Sequence, residues 1–384
     1  MRLRLAALRS SGDSTLDELE RSFREAGLAA GFSEEPVQAD VAAVLVLTGG
    51  TERSIVEIAK DARAALIFYH GSFNSLAAAS EAAALLREEG TQAWLYDVSE
   101  ARSTLRQAAG AAAAVDGLRG LTITSFGGAS EWLVYSDGSG DLLGARVSVT
   151  PIDELVKGSA ASGPEAFRGK EPTLEGVDRA DLDKAMSLLG AMRRLSAGPL
   201  TVRCFDLLRL YGVTPCLPLA ILNSEGLPAG CEGDVPSLLT MIVLSTIAGR
   251  PAWMGNVTPG PRPGTLGIAH CTFPLSEASS YVVTTHFETG RPLAVRAEVR
   301  EDGRATLAKY DPRTRTMRAI RGEVERGRQF TRACRTQVLF RVSDNAVRLS
   351  LTRPLGAHYA VVFDDVMPGL RVFSALEGIQ LEEA

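Results

Sequence analysis

The chain has 384 residues, 45% of them hydrophobic, 23% charged and 6% aromatic, a composition that excludes disordered, collagen-like and disulfide-framework classes. At about 150 residues per domain the length predicts two or three domains, each able to bury a core without metal or disulfide staples. The net charge of −5, from 41 basic and 46 acidic residues, provides no global field toward nucleic acid or an anionic membrane.

From residue 41 onward, strand-like runs alternate with helical ones: VAAVLVL then TERSIVEIAKDA, ALIFY then NSLAAASEAAALLREEG, QAWLY then SEARSTLRQAAGAAAAV, and finally LTITSF. This is the rhythm of βαβ units and a parallel sheet. Ligands of such sheets sit at the carboxyl ends of the strands, which directs attention to residues 48–52, 70–74 and 127–131. The run from WLVYS to LLGARVSV reads as a hairpin closed by DGSGD. Its glycines do not match G-x-G-x-x-G, so no dinucleotide site is expected.

Residues 157–172 are rich in Gly, Ser and Pro and read as a linker or surface loop. LEGVDRADLDKAMSLLGAMRRLSAG follows as a helix, and PSLLTMIVLSTIAG is a second, wholly apolar one. Residues 235–249 lack charge over only 15 positions, below the roughly 18 to 20 needed to span a bilayer. No membrane partner is expected. From Trp253 the pattern changes to short strands between turn residues, which predicts an antiparallel barrel or sandwich. The domains expected are thus 1–130, 131–252 and 253–384.

Charge is uneven. Residues 291–353 carry 16 basic and 7 acidic side chains, a net of +9. The stretch offers few aromatics to interleave, so it reads as the solvated face of a sheet, with a subunit contact or anionic-substrate site as the alternative and no nucleic-acid partner. The five cysteines are odd in number and show no C-x-x-C spacing, which fits a reducing, cytoplasmic setting. The N-terminal apolar run is too short for a secretory signal.

Only four histidines occur, His70, His270, His286 and His358, each beside a strand end or compact polar motif. In GLPAGCEGDVPSLLTM, Asp234 is placed to cap the apolar helix, with Pro236 in its first turn. Glu232 has no such duty and is a candidate metal ligand or general base. Thr51 is a candidate helix cap, and Glu288 and Arg291 a candidate ion pair across a turn.

Taken in order, GCEGDVPSLLTM, WMGN, GIAHCTFP, THFETGRPLAV and PLGAHYAVVFDD resemble the C-terminal part of the L-fucose and L-arabinose isomerase family, and GGASEWLVYS, TGGTE and HGSFNSLAAASE extend the likeness more weakly. The chain is shorter than the sugar isomerases of that family. The resemblance implies an N-terminal flavodoxin-like α/β domain, a second α/β domain and a β-rich C-terminal domain. It also implies a Mn2+-dependent (or other divalent-metal-dependent) aldose–ketose isomerase, acting on a small sugar through an enediolate and assembled as a trimer or hexamer.

On this likeness Glu232 and His358 fall on metal ligands. The family's aspartate falls on Asn256, which offers a carbonyl oxygen to a cation but no charge and no proton. Glu232, Asp234 and Asn256 are therefore the candidate catalytic residues, and Glu232, Asn256 and His358 the candidate metal ligands. His270 and His286 are candidates for the pocket wall, and His70 and Asn74 for substrate contacts, the latter serving a neighbouring subunit. An epimerase, isomerase or lyase acting on a phosphorylated or acidic sugar, and a non-catalytic sugar-binding homologue, are the alternatives.

Overall fold

Six-residue apolar runs without polar alternation need cover on both faces, and residues 41–46 and 64–69 obtain it here. Strands β1 (Leu3–Leu8), β2 (Val41–Val46), β3 (Ala64–Tyr69) and β4 (Gln92–Asp97) form a parallel sheet in the order β1-β2-β3-β4, with β2 buried throughout. Alanines make the helix packing close: Ala78, Ala79, Ala82 and Ala83 of the Ser75–Glu88 helix share a core with Val44, Val46 and Ile67. The sheet belongs to one of two units in a computed structural model that describes residues 1–35, 38–161, 163–167, 171–299, 303–325 and 330–384. That first unit comprises Met1–Gly117 and Pro368–Ile379, and the second Leu118–Met367 and Gln380–Ala384.

The division differs from three consecutive domains in two ways. The second parallel sheet and the β-rich region lie in one unit, and the C-terminal Met367–Glu377 helix contributes Leu370, Phe373 and Leu376 to the core of the first. The Gly369 N–H donates to Gln107 Oε1 at 3.2 Å within that unit. Hydrophobic spacing alone does not reveal such a return of the chain.

In the second unit the strands are β5 (Thr122–Phe126), β6 (Arg146–Thr150), β7 (Thr173–Glu175), β8 (Leu200–Val202), β9 (Ala229–Cys231), β10 (Trp253–Pro259), β11 (Thr265–His270), β12 (Ala278–Thr285), β13 (Pro292–Val299), β14 (Arg304–Asp311), β15 (Thr316–Glu325), β16 (Thr336–Arg341), β17 (His358–Val362) and β18 (Gln380–Glu383). A parallel sheet runs β6-β5-β8-β9. Six strands run antiparallel in the order β14-β17-β10-β11-β16-β15, and pairing of β15 back onto β14 closes them into a barrel, with β18 added in parallel to β15. Closure removes the free edges. A small sheet β13-β12-β7 completes the unit.

The Val235–Ala248 helix packs on β14 and β17 with nearly every side chain buried, which is why its sequence is apolar all round. Asp234 caps it through Ser237 N–H at 2.8 Å, as its sequence position predicts, and Gly249 ends it in the left-handed conformation. No described helix is long and apolar enough to cross a membrane.

Three local expectations are corrected. The DGSGD segment closes no hairpin: Asp137 and Asp141 side chains accept from Ser139 N and Leu143 N, turning the loop on itself, and β6 instead joins β5 in parallel. Thr51 holds the N-cap position of the Glu52–Ala59 helix, but its hydroxyl donates to the Thr48 carbonyl and accepts nothing from the first turn. Glu288 and Arg291 form no ion pair among the described residues. Several side chains of the basic stretch meet carboxylates from elsewhere in the unit, with Arg296 on Glu175, Arg313 on Asp137, Arg318 on Glu382 and Arg321 on Asp365.

Candidate metal centre

The carboxyl ends of β5, β8 and β9 carry the segments that build the site, as parallel sheets require. Glu232 leaves β9 with φ of +63° and Gly233 follows with φ of +76°. A side chain rarely adopts that left-handed turn, and a Cβ at Gly233 would collide with the Gly128 carbonyl oxygen in the loop after β5. That loop is tied down as well, since Ser130 N–H donates to the Glu232 carbonyl at 2.9 Å. The turn thus lifts Glu232 off the strand while Asp234, two residues on, turns inward to start the helix.

The Glu232 carboxylate is divided between two tasks. Oε2 accepts from Trp132 Nε1 at 2.5 Å. Oε1 lies 3.4 Å from His358 Nε2 and 3.6 Å from His270 Nε2. The two imidazoles meet edge to face, with centroids 5.5 Å apart. Glu232, His270 and His358 place one ligand atom each within 4.8 Å of one another, and this buried cluster could hold a metal ion.

Both imidazoles are oriented from behind. His358 Nδ1 is 2.9 Å from Asp234 Oδ2, and His270 Nδ1 is 3.1 Å from Thr272 Oγ1. Such outer partners fix the tautomer and leave Nε2 for a cation. Asp234 is itself fully buried, held by Ser237 and by Lys309 Nζ at 3.4 Å from both its oxygens. Asp234 thus holds His358 from behind.

Electrostatics follow the geometry. Burial would raise the Glu232 carboxyl, but His358 and His270 beside it outweigh this and hold it well below the usual carboxylate range. Burial likewise opposes ionisation of Asp234, and Lys309 with His358 brings it down to about 2. Burial would lower His358, whereas Glu232 and Asp234 push it up to about 9. Lys309 is lowered by its burial, Asp234 opposing.

His358 Nε2 is the observation that tests the fit. It is buried without any hydrogen-bond partner, a costly arrangement for an imidazole unless something else occupies the position. One carboxylate and two imidazoles suit a first-row divalent ion, so the residues fit a cation.

Asn256 stands directly across from His358 in the β10–β17 ladder and lines the same cavity as Glu232 and His270. His286 also lines it, its ring edge-on to Phe205, which is edge-on to Trp132. His70 and Asn74 belong to the first unit; the His70 ring is held by the Leu47 carbonyl at 2.8 Å, and Asn74 is exposed with φ of +58°. Sequence reasoning passed over Trp132 and Lys309, and it read Glu288, which is exposed and joins the cavity lining, only as half of an ion pair across a turn. It also passed over all five cysteines, Cys204, Cys216, Cys231, Cys271 and Cys334, which line that cavity. A lone Lys in a strand of an Arg-rich region was the one available signal for Lys309.

No protein-family model matches the chain, and no curated protein matches it.

Proposed function

We propose that the second unit carries a ketol isomerase that interconverts an aldose and a ketose, with Mn2+ or a similar divalent ion held by Glu232, His270 and His358 and by the amide oxygen of Asn256. The observation that carries this reading is the buried, unpartnered His358 Nε2 facing Glu232, with Asp234 fixing the other ring nitrogen. The resemblance of GCEGDVPSLLTM, GIAHCTFP and GAHYAVVF to fucose and arabinose isomerases supports the choice of reaction.

When bound, such a cation supplies Lewis-acid stabilisation of the negative charge that develops as a proton leaves the carbon beside a carbonyl. The protein's own residues do the rest. Glu232 serves as a ligand. Glu288, the other carboxylate on the cavity, takes the proton from one carbon and returns it to its neighbour. Trp132 and Asp234 keep Glu232 and His358 in place, while His286 contributes to the wall that receives the sugar hydroxyls. The five unpaired thiols support a reducing, cytoplasmic setting, and a homo-oligomer follows from the resemblance alone.

The test is exchange. The Mn2+-loaded protein, incubated with a panel of aldoses in deuterated water, incorporates deuterium beside the carbonyl and forms ketose. Glu288→Gln loses about 100-fold or more of that rate while Mn2+ affinity stays unchanged. Mn2+ binding without exchange on any sugar of the panel would overturn the isomerase reading.

A further inference from the structure

Lys309 of β14 is buried to 1% exposure against a carboxylate, Asp234, that is itself wholly inaccessible. Its ammonium has three N–H donors, and three acceptors surround it: Asp234 Oδ1 and Oδ2, each at 3.4 Å, and Ser237 Oγ at 2.8 Å. Ser237 gives its backbone N–H to Asp234 Oδ1 and its hydroxyl to Oδ2, both at 2.8 Å. Apart from His358, the partners of Asp234 are thus all donors. The chain closes over this ammonium at Gly356, two residues before His358, where φ is +112° and a Cβ would lie 3.5 Å from Lys309 Cε and collide with Ser136 Oγ.

Stability of the helix does not call for this cation. Asp234 already caps through Ser237 N–H, and the start of a helix is its positive end, so a buried ammonium there works against the dipole and adds its own desolvation cost. What the ammonium does is fix the role of Asp234 toward the imidazole. With donors on its other sides, Asp234 faces His358 Nδ1 at 2.9 Å as an acceptor. Nδ1 therefore carries the hydrogen, and Nε2 is the nitrogen turned to Glu232. The residue type agrees with this role. In a chain with 36 Arg and only 5 Lys, position 309 holds the compact ammonium, whose three donors suit two carboxylate oxygens and a hydroxyl better than a planar guanidinium does.

We propose that Lys309 is a positioning residue of the metal centre, acting through Asp234 to present His358 Nε2 to the cation. It is not itself a ligand. Its effect reaches the site in two contacts, Lys309 to Asp234 and Asp234 to His358. Without the ammonium, Asp234 loses the partner that spans both its oxygens, and the imidazole loses its single orientation. The inference rests on the metal-binding part of the proposed function and not on isomerisation, so it stands whether or not a sugar is turned over.

A double-variant cycle on Mn2+ affinity tests this, with full-length protein stripped of metal and binding read by electron paramagnetic resonance. Lys309→Met and Asp234→Asn each weaken binding by about tenfold or more, the loss typical of removing an outer partner of a ligand. The double variant binds no more weakly than Asp234→Asn alone, because the two residues act as one unit. Nitrogen NMR of the imidazoles in Zn2+-loaded protein supplies a signature that a purely structural role would not move: wild-type His358 coordinates through Nε2 with its hydrogen on Nδ1, and Lys309→Met loses this single form. Should Lys309→Met alone fail to fold, the double variant, which buries neither charge, still carries the comparison with Asp234→Asn. Unchanged or tighter Mn2+ binding by Lys309→Met, or losses that add in full in the double variant, would overturn the inference while the metal site stands. Absence of Mn2+ binding in the wild type would remove the metal site and this inference together.

Discussion

His358 has two ring nitrogens with different surroundings, and this difference organises the site. Nδ1 faces Asp234, Nε2 faces Glu232 and has no hydrogen-bond partner. In the metal-free protein the pair has a defined pH signature. The folded state raises His358 from 6.5 to about 9, so its contribution to stability is complete below about 6.5 and is lost as pH rises through about 9. Asp234 is lowered from 3.8 to about 2, so its contribution is complete above about 3.8 and is lost as pH falls through about 2. Chelator-treated protein should therefore show a higher urea midpoint at about pH 5 than at about pH 9, and His358→Gln should flatten the difference; equal midpoints in the wild type would contradict this. Asn256 allows a second test at this scale. Asn256→Asp adds a charged ligand across from His358 and should tighten Mn2+ binding by about tenfold; weaker binding by the folded variant would remove Asn256 from the site.

At the scale of elements, the turn between β9 and the Val235–Ala248 helix decides where each carboxylate goes. Two consecutive left-handed residues send Glu232 toward the cavity and Asp234 into the helix cap. Gly233→Ala would place a methyl against the Gly128 carbonyl, costing more than about 1 kcal/mol in strain and shifting Glu232. Thermal denaturation should show the loss and calorimetric titration a reduced Mn2+ affinity; unchanged values for both would mean that the turn does not position the ligand. Much of this element was legible in the sequence. GCEGDVPSLLTM has a cap, a Pro in the first turn and an apolar helix, and it leaves Glu232 without a structural duty. The role of His270 was less legible, because its proximity to Glu232 depends on barrel closure. The thiols were not legible at all, since cysteines spread over Cys204 to Cys334 meet only when the helices after β8 and the ends of β9, β11 and the β16 loop converge.

Over the whole molecule, the alternating apolar runs pointed to a parallel sheet and the turn-rich final third to antiparallel β structure, barrel or sandwich, while the second parallel sheet, with β6 beside β5, was read as a hairpin. The boundaries were harder. The Met367–Glu377 helix lies at the end of the sequence but in the first unit, and a lone amphipathic helix carries no mark of the sheet it will cover. This has a measurable consequence. Phe373 is fully buried there, and Phe373→Ala should cost about 3–5 kcal/mol, felt in the unit to which the helix belongs. Hydrogen exchange should accelerate in β1 through β4 and not in the barrel strands β10, β11 and β17. Acceleration confined to the barrel would contradict the assignment. The same division places Glu232, His270 and His358 in one unit.

The most direct test of the metal centre is a Mn2+ titration of metal-free protein followed by electron paramagnetic resonance, comparing the wild type with Glu232→Gln, His270→Ala and His358→Ala. The account predicts one tight site in the wild type, lost in each of the three variants while their far-ultraviolet circular dichroism is unchanged. Absence of binding in the wild type, or binding that persists in all three folded variants, would contradict it.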